Sequence, residues 1–279
     1  MALRIITDST SEITQAQAKA LNLTVVPLTV SFGNEVFTDG IDITPEEFYA
    51  RMRSVKELPK TSLINVATFT EVFEKIPDED EIIGLFISSE LSGSLQSAFL
   101  AKESFPKKKI HLIDSRQVTF GLSALVYSAL SFRDAGDDAA TIVAKIEEIK
   151  KRIVLLAVID DLKYLKLGGR LSSTSAAMGS LMHVKPLIAI VDGKVTVVHK
   201  AFGLARAFSW MCDQYNETDV DTTLPQFFGH SDAPDTLEKF TKFVAKHTSF
   251  PEPRVFPIGV TVGTHAGPGA VGFCFFKKK

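Results

Sequence analysis

Cysteine is scarce in this chain of 279 residues: Cys212 and Cys274 lie far apart, with no CxxC and no histidine at ligand spacing. That argues against a disulfide framework and a structural zinc site and predicts two reduced core thiols. Positive charge is not in excess either. A formal net charge of −2 gives no basic footprint for nucleic acid, and Lys277-Lys278-Lys279 reads as a solvated tail. No apolar run approaches the length of a membrane span, and the first residues lack a basic segment followed by a long apolar one. A cytoplasmic protein without integral membrane association is the expectation. Catalytic signatures are missing too: there is no GxxxxGK[ST] phosphate loop, no HExxH, no GxSxG and no acid-rich metal loop. This weighs against a self-contained kinase, zinc protease or esterase. Tryptophan occurs once and tyrosine four times, against 21 phenylalanines. That imbalance leaves room for an apolar cavity lined partly by Phe within an ordinary core.

What is present is alternation. Leu3–Ile6, Val25–Phe32, Ile82–Ile87, Lys109–Ile113 and Val154–Ile159 read as short apolar strands. Between them, helical spacing runs over Thr14–Leu21, Pro45–Met52, Thr68–Ile76, Ser94–Phe105, Ser123–Ala135 and Ala139–Lys151, with Thr44-Pro45-Glu46-Glu47 a good helix start. Strand–helix alternation points to an α/β fold, a mainly parallel sheet layered between helices. The second half differs. Pro186–Val191 and Lys194–His199 flank Asp192-Gly193, which supplies the positive φ angles of a tight hairpin turn. Helices near Phe202–Tyr215 and Pro234–His247, with strands near Leu224–Gly229, Val255–Val260 and Ala270–Phe276, complete an α+β pattern. The division is drawn as residues 1–160 and 161–279.

Ligands of such sheets sit beyond the carboxyl ends of the strands, where Asp8-Ser9-Thr10-Ser11, Ser88-Ser89 and Asp114-Ser115 fall. The stretch from Ser88 to Ser97 joins an apolar strand to a helix start. Its hydroxyls, Gly93 and the helix N-terminal N–H groups suit an anion, although helix capping alone accounts for the local pattern. Gly168-Gly169-Arg170 offers a tight turn projecting a permanently charged guanidinium, equally suited to a carboxylate, a phosphate or a surface ion pair. In Gly263-Thr264-His265-Ala266-Gly267-Pro268-Gly269, a His follows a strand and precedes a glycine-rich loop, fit either for structural hydrogen bonding or for proton exchange. His230-Ser231-Asp232 matches a catalytic triad in composition only and reads as a strand-end turn. Asp160-Asp161 reads as capping charge for a helix at Leu162–Leu167.

Taken in order, Asp8–Ser11, Lys60-Thr61-Ser62, Ile87–Ala98, Asp114-Ser115, Leu162–Ser172, Lys185-Pro186 and Gly263–Gly269 resemble the DegV family, the bacterial fatty-acid-binding proteins that serve as the FakB component of fatty acid kinase. The resemblance spans nearly the whole chain. It implies two domains with a long-chain fatty acid in the cleft between them, the carboxylate at the polar end and the acyl chain enclosed by residues 161–279. By that likeness Thr61 and Ser92 bond the carboxylate, supported by Ser62, Gly93 and backbone N–H groups. Arg170 and His265 then lie near its entrance. The family's phosphorylation step belongs to a separate ATP-dependent kinase subunit, so the chain is expected to be a carrier rather than an enzyme. Its ligand would be the fatty acid, without cofactor, metal or nucleic-acid partner, and with at most transient membrane contact. Two departures stand out: Leu63-Ile64-Asn65 replaces the family's x-Pro-Ser after Thr-Ser, and the basic stretch after the hairpin is reduced to Lys200–Arg206. A second reading makes the chain a stand-alone enzyme acting through Arg170 and His265 on a small carboxylate or phosphate. A third makes it a regulatory or structural protein with an unoccupied cavity.

Overall fold

The computed structural model describes residues 2–172, 184–252 and 254–279. In chain order the first elements are β1 (Leu3–Asp8), α1 (Gln15–Ala20), β2 (Leu23–Val26), β3 (Thr29–Phe32), β4 (Glu35–Thr38), α2 (Pro45–Ser54), β5 (Lys60–Ser62) and α3 (Val66–Glu74). Then follow β6 (Glu81–Phe86), α4 (Ser94–Lys102), β7 (Ile110–Asp114), α5 (Thr119–Asp134), α6 (Ala139–Ile149), β8 (Ile153–Val158) and α7 (Lys163–Leu167). The last described elements are β9 (Val184–Val191), β10 (Lys194–Phe202), α8 (Leu204–Asn216), β11 (Phe227–His230), α9 (Pro234–His247), β12 (Arg254–Pro257), α10 (Val260–Ala266) and β13 (Val271–Phe276).

Three sheets result. A wholly parallel one has the order β2-β1-β6-β7, a mixed one has the order β10-β9-β8-β13-β11-β12, and a small antiparallel one has the order β4-β3-β5. The period-2 alternation of side chains assigns the two larger sheets to layers. Ile6, Ile82 and Phe86 face α3 and α4, whereas Ile5, Ile83 and Leu85 face α5 and α6. In the mixed sheet Cys274 and Phe276 join that same central layer, while Phe273 and Phe275 turn to α8 and α9. Helix α5 lies between the sheets, packed on β1 and β6 on one side and on β8, β11 and β13 on the other. Burial on both sides explains why Leu122 to Val126 carries no charge and is buried throughout.

The structure reassigns two expected strands. Val25–Phe32 is not one strand: it breaks at Pro27-Leu28, and its halves enter different sheets, because Pro27 has no N–H for a continuing ladder. The apolar run after α6 is β8, which pairs antiparallel with β9 and β13 rather than extending the parallel sheet. Sheet membership alone would thus divide the chain at the α6–β8 turn, before residue 160. The hairpin β9–β10 turns at Asp192 and Gly193, with φ of 49° and 80°.

Candidate functional site

All six residues singled out in the sequence, Thr61, Ser62, Ser92, Gly93, Arg170 and His265, line one cavity of about 380 Å³. That volume lies in the range of small-molecule pockets. The cavity sits where the three sheets meet. Its apolar wall comes from Leu155 and Ala157 on β8, Ile188 and Ile190 on β9, Val195 on β10 and Phe120 at the start of α5. The polar residues come from the small sheet, the β6–α4 turn, the loop after α7, and α10.

Each polar residue is delivered by a different local device. Thr61 lies on β5, where it pairs with Val30 of β3. Ser92 and Gly93 precede α4, and Gly93 is the N-cap but offers no side chain. The helix therefore begins at the cavity wall, its partial positive charge close to the polar end. Ser92 Oγ exchanges a hydrogen bond with Ser94 Oγ at 3.0 Å and accepts one from Ser94 N at 3.3 Å. Ser94 in turn accepts from Ile64 N at 3.2 Å. The departure Leu63-Ile64-Asn65 fits this loop: Leu63 lines the cavity, and Asn65 caps α3 by accepting from Thr68 N at 2.9 Å.

His265 is not placed directly after a strand, as the sequence suggested. It occupies the last turn of α10, one turn after Thr261. Its Nε2 is 2.9 Å from Thr61 Oγ1, while Nδ1 is buried and has no hydrogen-bond partner among the described residues. Burial, and then the nearby Arg170 guanidinium, push its pKa down to about 4, so the ring is neutral at pH 7. Gly169, with φ of 69°, makes the turn that brings in Arg170. Arg170 donates from Nε to Leu91 O at 3.1 Å and from Nη1 to Gly168 O at 2.7 Å. Gly168 approaches His265 so closely that a Cβ there would stand 2.2 Å from Nδ1.

Other hydroxyls and acids expected at the strand ends do not reach the cavity. Asp8 is buried, accepting from Thr10 N at 2.9 Å and Ile87 N at 2.8 Å, and burial raises its pKa to about 6. Ser88 donates to Gly193 O and Ser89 to Asp114, bonds that tie the β6–α4 turn to the β9–β10 hairpin turn and to the end of β7. Ser97, on α4, is buried and does not line the cavity. His230 accepts from Ala233 N at 3.3 Å, and Asp232 pairs with Arg53, so these residues form a turn and no triad. Asp161, one residue before the N-cap Leu162, accepts from Lys163 N at 2.9 Å, and Asp160 pairs with Lys185.

Sequence reasoning missed Glu12, Asp39 and Tyr49, which hold α10 from outside the cavity. Glu12 accepts from Gly259 N at 2.7 Å, Asp39 from Thr261 N at 3.2 Å, and Tyr49 Oη donates to Ile258 O at 3.1 Å. No local signal marks them, since Thr38-Asp39-Gly40 reads as an ordinary turn. A second cavity of about 370 Å³ shares Thr61, Arg170 and His265 with the first and is bordered also by Lys60, Tyr164 and Thr264. Both cysteines are free and buried. Among the described residues, no group of three or more His, Cys, Asp or Glu is arranged to hold a metal, and no helix is long and apolar enough to cross a membrane.

Fold and site together define an α/β protein with a largely apolar cavity that also presents hydroxyls, an imidazole and a guanidinium. The chain belongs to the DegV family: the family model, described as an uncharacterised protein of the DegV family, matches residues 2–278. A DegV domain-containing protein of Caldanaerobacter subterraneus subsp. tengcongensis is 34% identical over 279 residues, covering 99% of each chain. Two solved structures share the fold over 100% of both chains. One is a fatty-acid-binding DegV family protein from Thermus thermophilus (26% identity, TM-score 0.90). The other is DegV from Bacillus subtilis, described as a fatty acid binding protein (27% identity, TM-score 0.87).

Proposed function

We propose that this chain binds a long-chain fatty acid and presents its carboxylate to a separate ATP-dependent kinase subunit for acyl-phosphate formation. The observation that carries the reading is a largely apolar cavity in which a hydroxyl, an imidazole and a guanidinium come together, His265 standing 2.9 Å from Thr61 and Arg170 bonding Leu91 O beside Ser92. An acyl chain against its apolar wall contributes about 0.8 kcal/mol per buried CH₂, so the wall supplies affinity and the polar end orientation. Thr61 and Ser92 offer hydroxyls to the carboxylate, Ser62 and Gly93 flank them, and Arg170 and His265 stand beside them. The hydroxyls and the neutral imidazole hold the carboxylate by hydrogen bonding, while the Arg170 guanidinium, half-buried beside them, favours its anionic form. The fatty-acid-binding relatives of the same fold support the ligand class.

Mass spectrometry of an organic extract of the purified protein is expected to find a fatty acid. Delipidated protein that binds no fatty acid at micromolar concentration would sink the proposal. The second cavity shares Thr61, Arg170 and His265 with the first and so puts room for a co-reactant next to the same polar groups. It therefore keeps the stand-alone enzyme in view. Turnover of a small carboxylate or phosphate by the protein alone, lost in His265→Ala, would favour that alternative; ATP consumption only with an added kinase subunit would count against it.

A further inference from the structure

Helix α10 carries His265 yet starts at Gly259, which has no side chain to cap it. Two acids from remote parts of the chain fill that role. Glu12, in the β1–α1 connection with a left-handed φ of 58°, accepts from Gly259 N at 2.7 Å across 247 positions of sequence. Asp39, just after β4, accepts from Thr261 N at 3.2 Å through Oδ2, the oxygen that also takes the Ser9 hydroxyl at 3.0 Å. Glycine at 259 is what lets the acids in, because a Cβ there would stand 2.8 Å from Glu12 Oε2 and 3.5 Å from Asp39 Oδ1. Anionic acceptors at this end of a helix are favoured by its dipole and by the unpaired N–H groups of the first turn.

Neither Glu12 nor Asp39 lines the acyl cavity, so neither touches a ligand lying there. One connection to it runs through α10, on which Thr261 and His265 are four residues apart and share a face. Tyr49 fixes the same end by donating to Ile258 O, and Gly263 rests against its ring, a Cβ there meeting Tyr49 Oη at 2.4 Å. The far end of the helix has the 2.9 Å contact between His265 and Thr61. Burial raises the pKa of both acids, and the neighbouring Asp39 charge raises that of Glu12 further.

We propose that Glu12 and Asp39 are positioning residues: by holding the first turn of α10 they set where His265 stands against Thr61, and thereby the geometry of the carboxylate anchor. The inference rests on the fatty-acid reading for its ligand but not for its structural half. What it requires is an oxygen acceptor at a fixed place, not a charge.

The test uses the full-length protein, with palmitate as probe and the ring-nitrogen shifts of His265 read by NMR without ligand. Asp39→Asn and Glu12→Gln keep an acceptor and are expected to bind palmitate within about threefold of the parent chain. Asp39→Glu keeps the charge but displaces it, and Asp39→Ala removes the acceptor; both are expected to bind about tenfold more weakly. In both, the His265 pKa is expected to climb from about 4 toward the ordinary 6.5 as the ring leaves its seat. Normal binding by Asp39→Glu together with weak binding by Asp39→Asn would overturn the proposal, because charge rather than position would then matter. Unchanged His265 shifts in all the variants would overturn it as well. Should Asp39→Ala fail to fold, the Asn and Glu variants decide by themselves. If the parent chain binds no palmitate, the fatty-acid reading falls, while the His265 shifts still judge the positioning role.

Discussion

Thr61 and His265 stand 204 positions apart in sequence and 2.9 Å apart in space, and the site's chemistry depends on that meeting. The buried ring, with its pKa near 4, folds neutral, whereas in the unfolded chain it takes a proton near 6.5. Between those values the unfolded chain binds more protons, so His265 withdraws stability as pH falls through this window and has no such effect above it. Asp8 works the opposite way, since its pKa is raised to about 6 and its contribution is lost as pH rises from the ordinary carboxylate range through that value. Comparing the parent chain with His265→Gln isolates the histidine: urea midpoints measured from pH 7.5 down to pH 4.5 are expected to fall more steeply in the parent. A carboxylate bound beside the ring would favour the imidazolium, so NMR titration with a fatty acid is expected to show the His265 pKa rising. No movement on saturation would place the carboxylate elsewhere. At the hydroxyls, Ser92→Ala is expected to weaken fatty-acid binding by about 1 kcal/mol, whereas Ser97→Ala, on α4 away from the cavity, leaves it unchanged. Equal affinities, measured by calorimetry, would contradict the anchor assignment.

Between elements, glycines set how closely α7 and α10 approach. Gly168 has an ordinary helical φ of −74°, so alanine suits its backbone, yet the added Cβ would stand 2.2 Å from His265 Nδ1. Gly168→Ala is therefore expected to push the ring away from Thr61 and lower fatty-acid affinity about tenfold. Retained affinity with an unmoved His265 resonance would show that the contact has slack. Gly263→Ala is a contrasting case. Helix propensity favours alanine, but a Cβ would meet Tyr49 Oη at 2.4 Å and Phe48 Cε1 at 3.1 Å. Overpacking is expected to win and cost about 1–3 kcal/mol, seen as a lower denaturant midpoint.

Across the whole molecule, the central helical layer is shared. Ile83 and Leu85 of the parallel sheet belong to the same buried cluster as Leu155 and Cys274 of the mixed sheet, with α5 between them. Neither sheet can lose that helix without exposing its inner face. Calorimetry is accordingly expected to show one cooperative transition, with equal calorimetric and van't Hoff enthalpies, shifted upward by a bound fatty acid. Two resolved peaks would mean that the halves unfold independently.

Alternation of apolar strands and helices was enough to define the α/β class, and Asp192-Gly193 the hairpin, because both signals are local: a period of two or 3.6 residues, and a turn that needs positive φ. Arg170 and His265 stood out locally as a guanidinium and an imidazole beside glycines, whereas Thr61, and Ser92 among the hydroxyls of its turn, were marked only by the resemblance to the DegV family. Sheet membership was not legible. The apolar run of β8 looks the same whether its partners are parallel or antiparallel, and only long-range pairing placed it beside β9 and β13. Nor did any local pattern show that Glu12 and Asp39 would hold the helix carrying His265. A buried carboxylate has the same sequence signature as a turn or a solvated one, and only tertiary packing removed the water and supplied Gly259 and Thr261 as its donors.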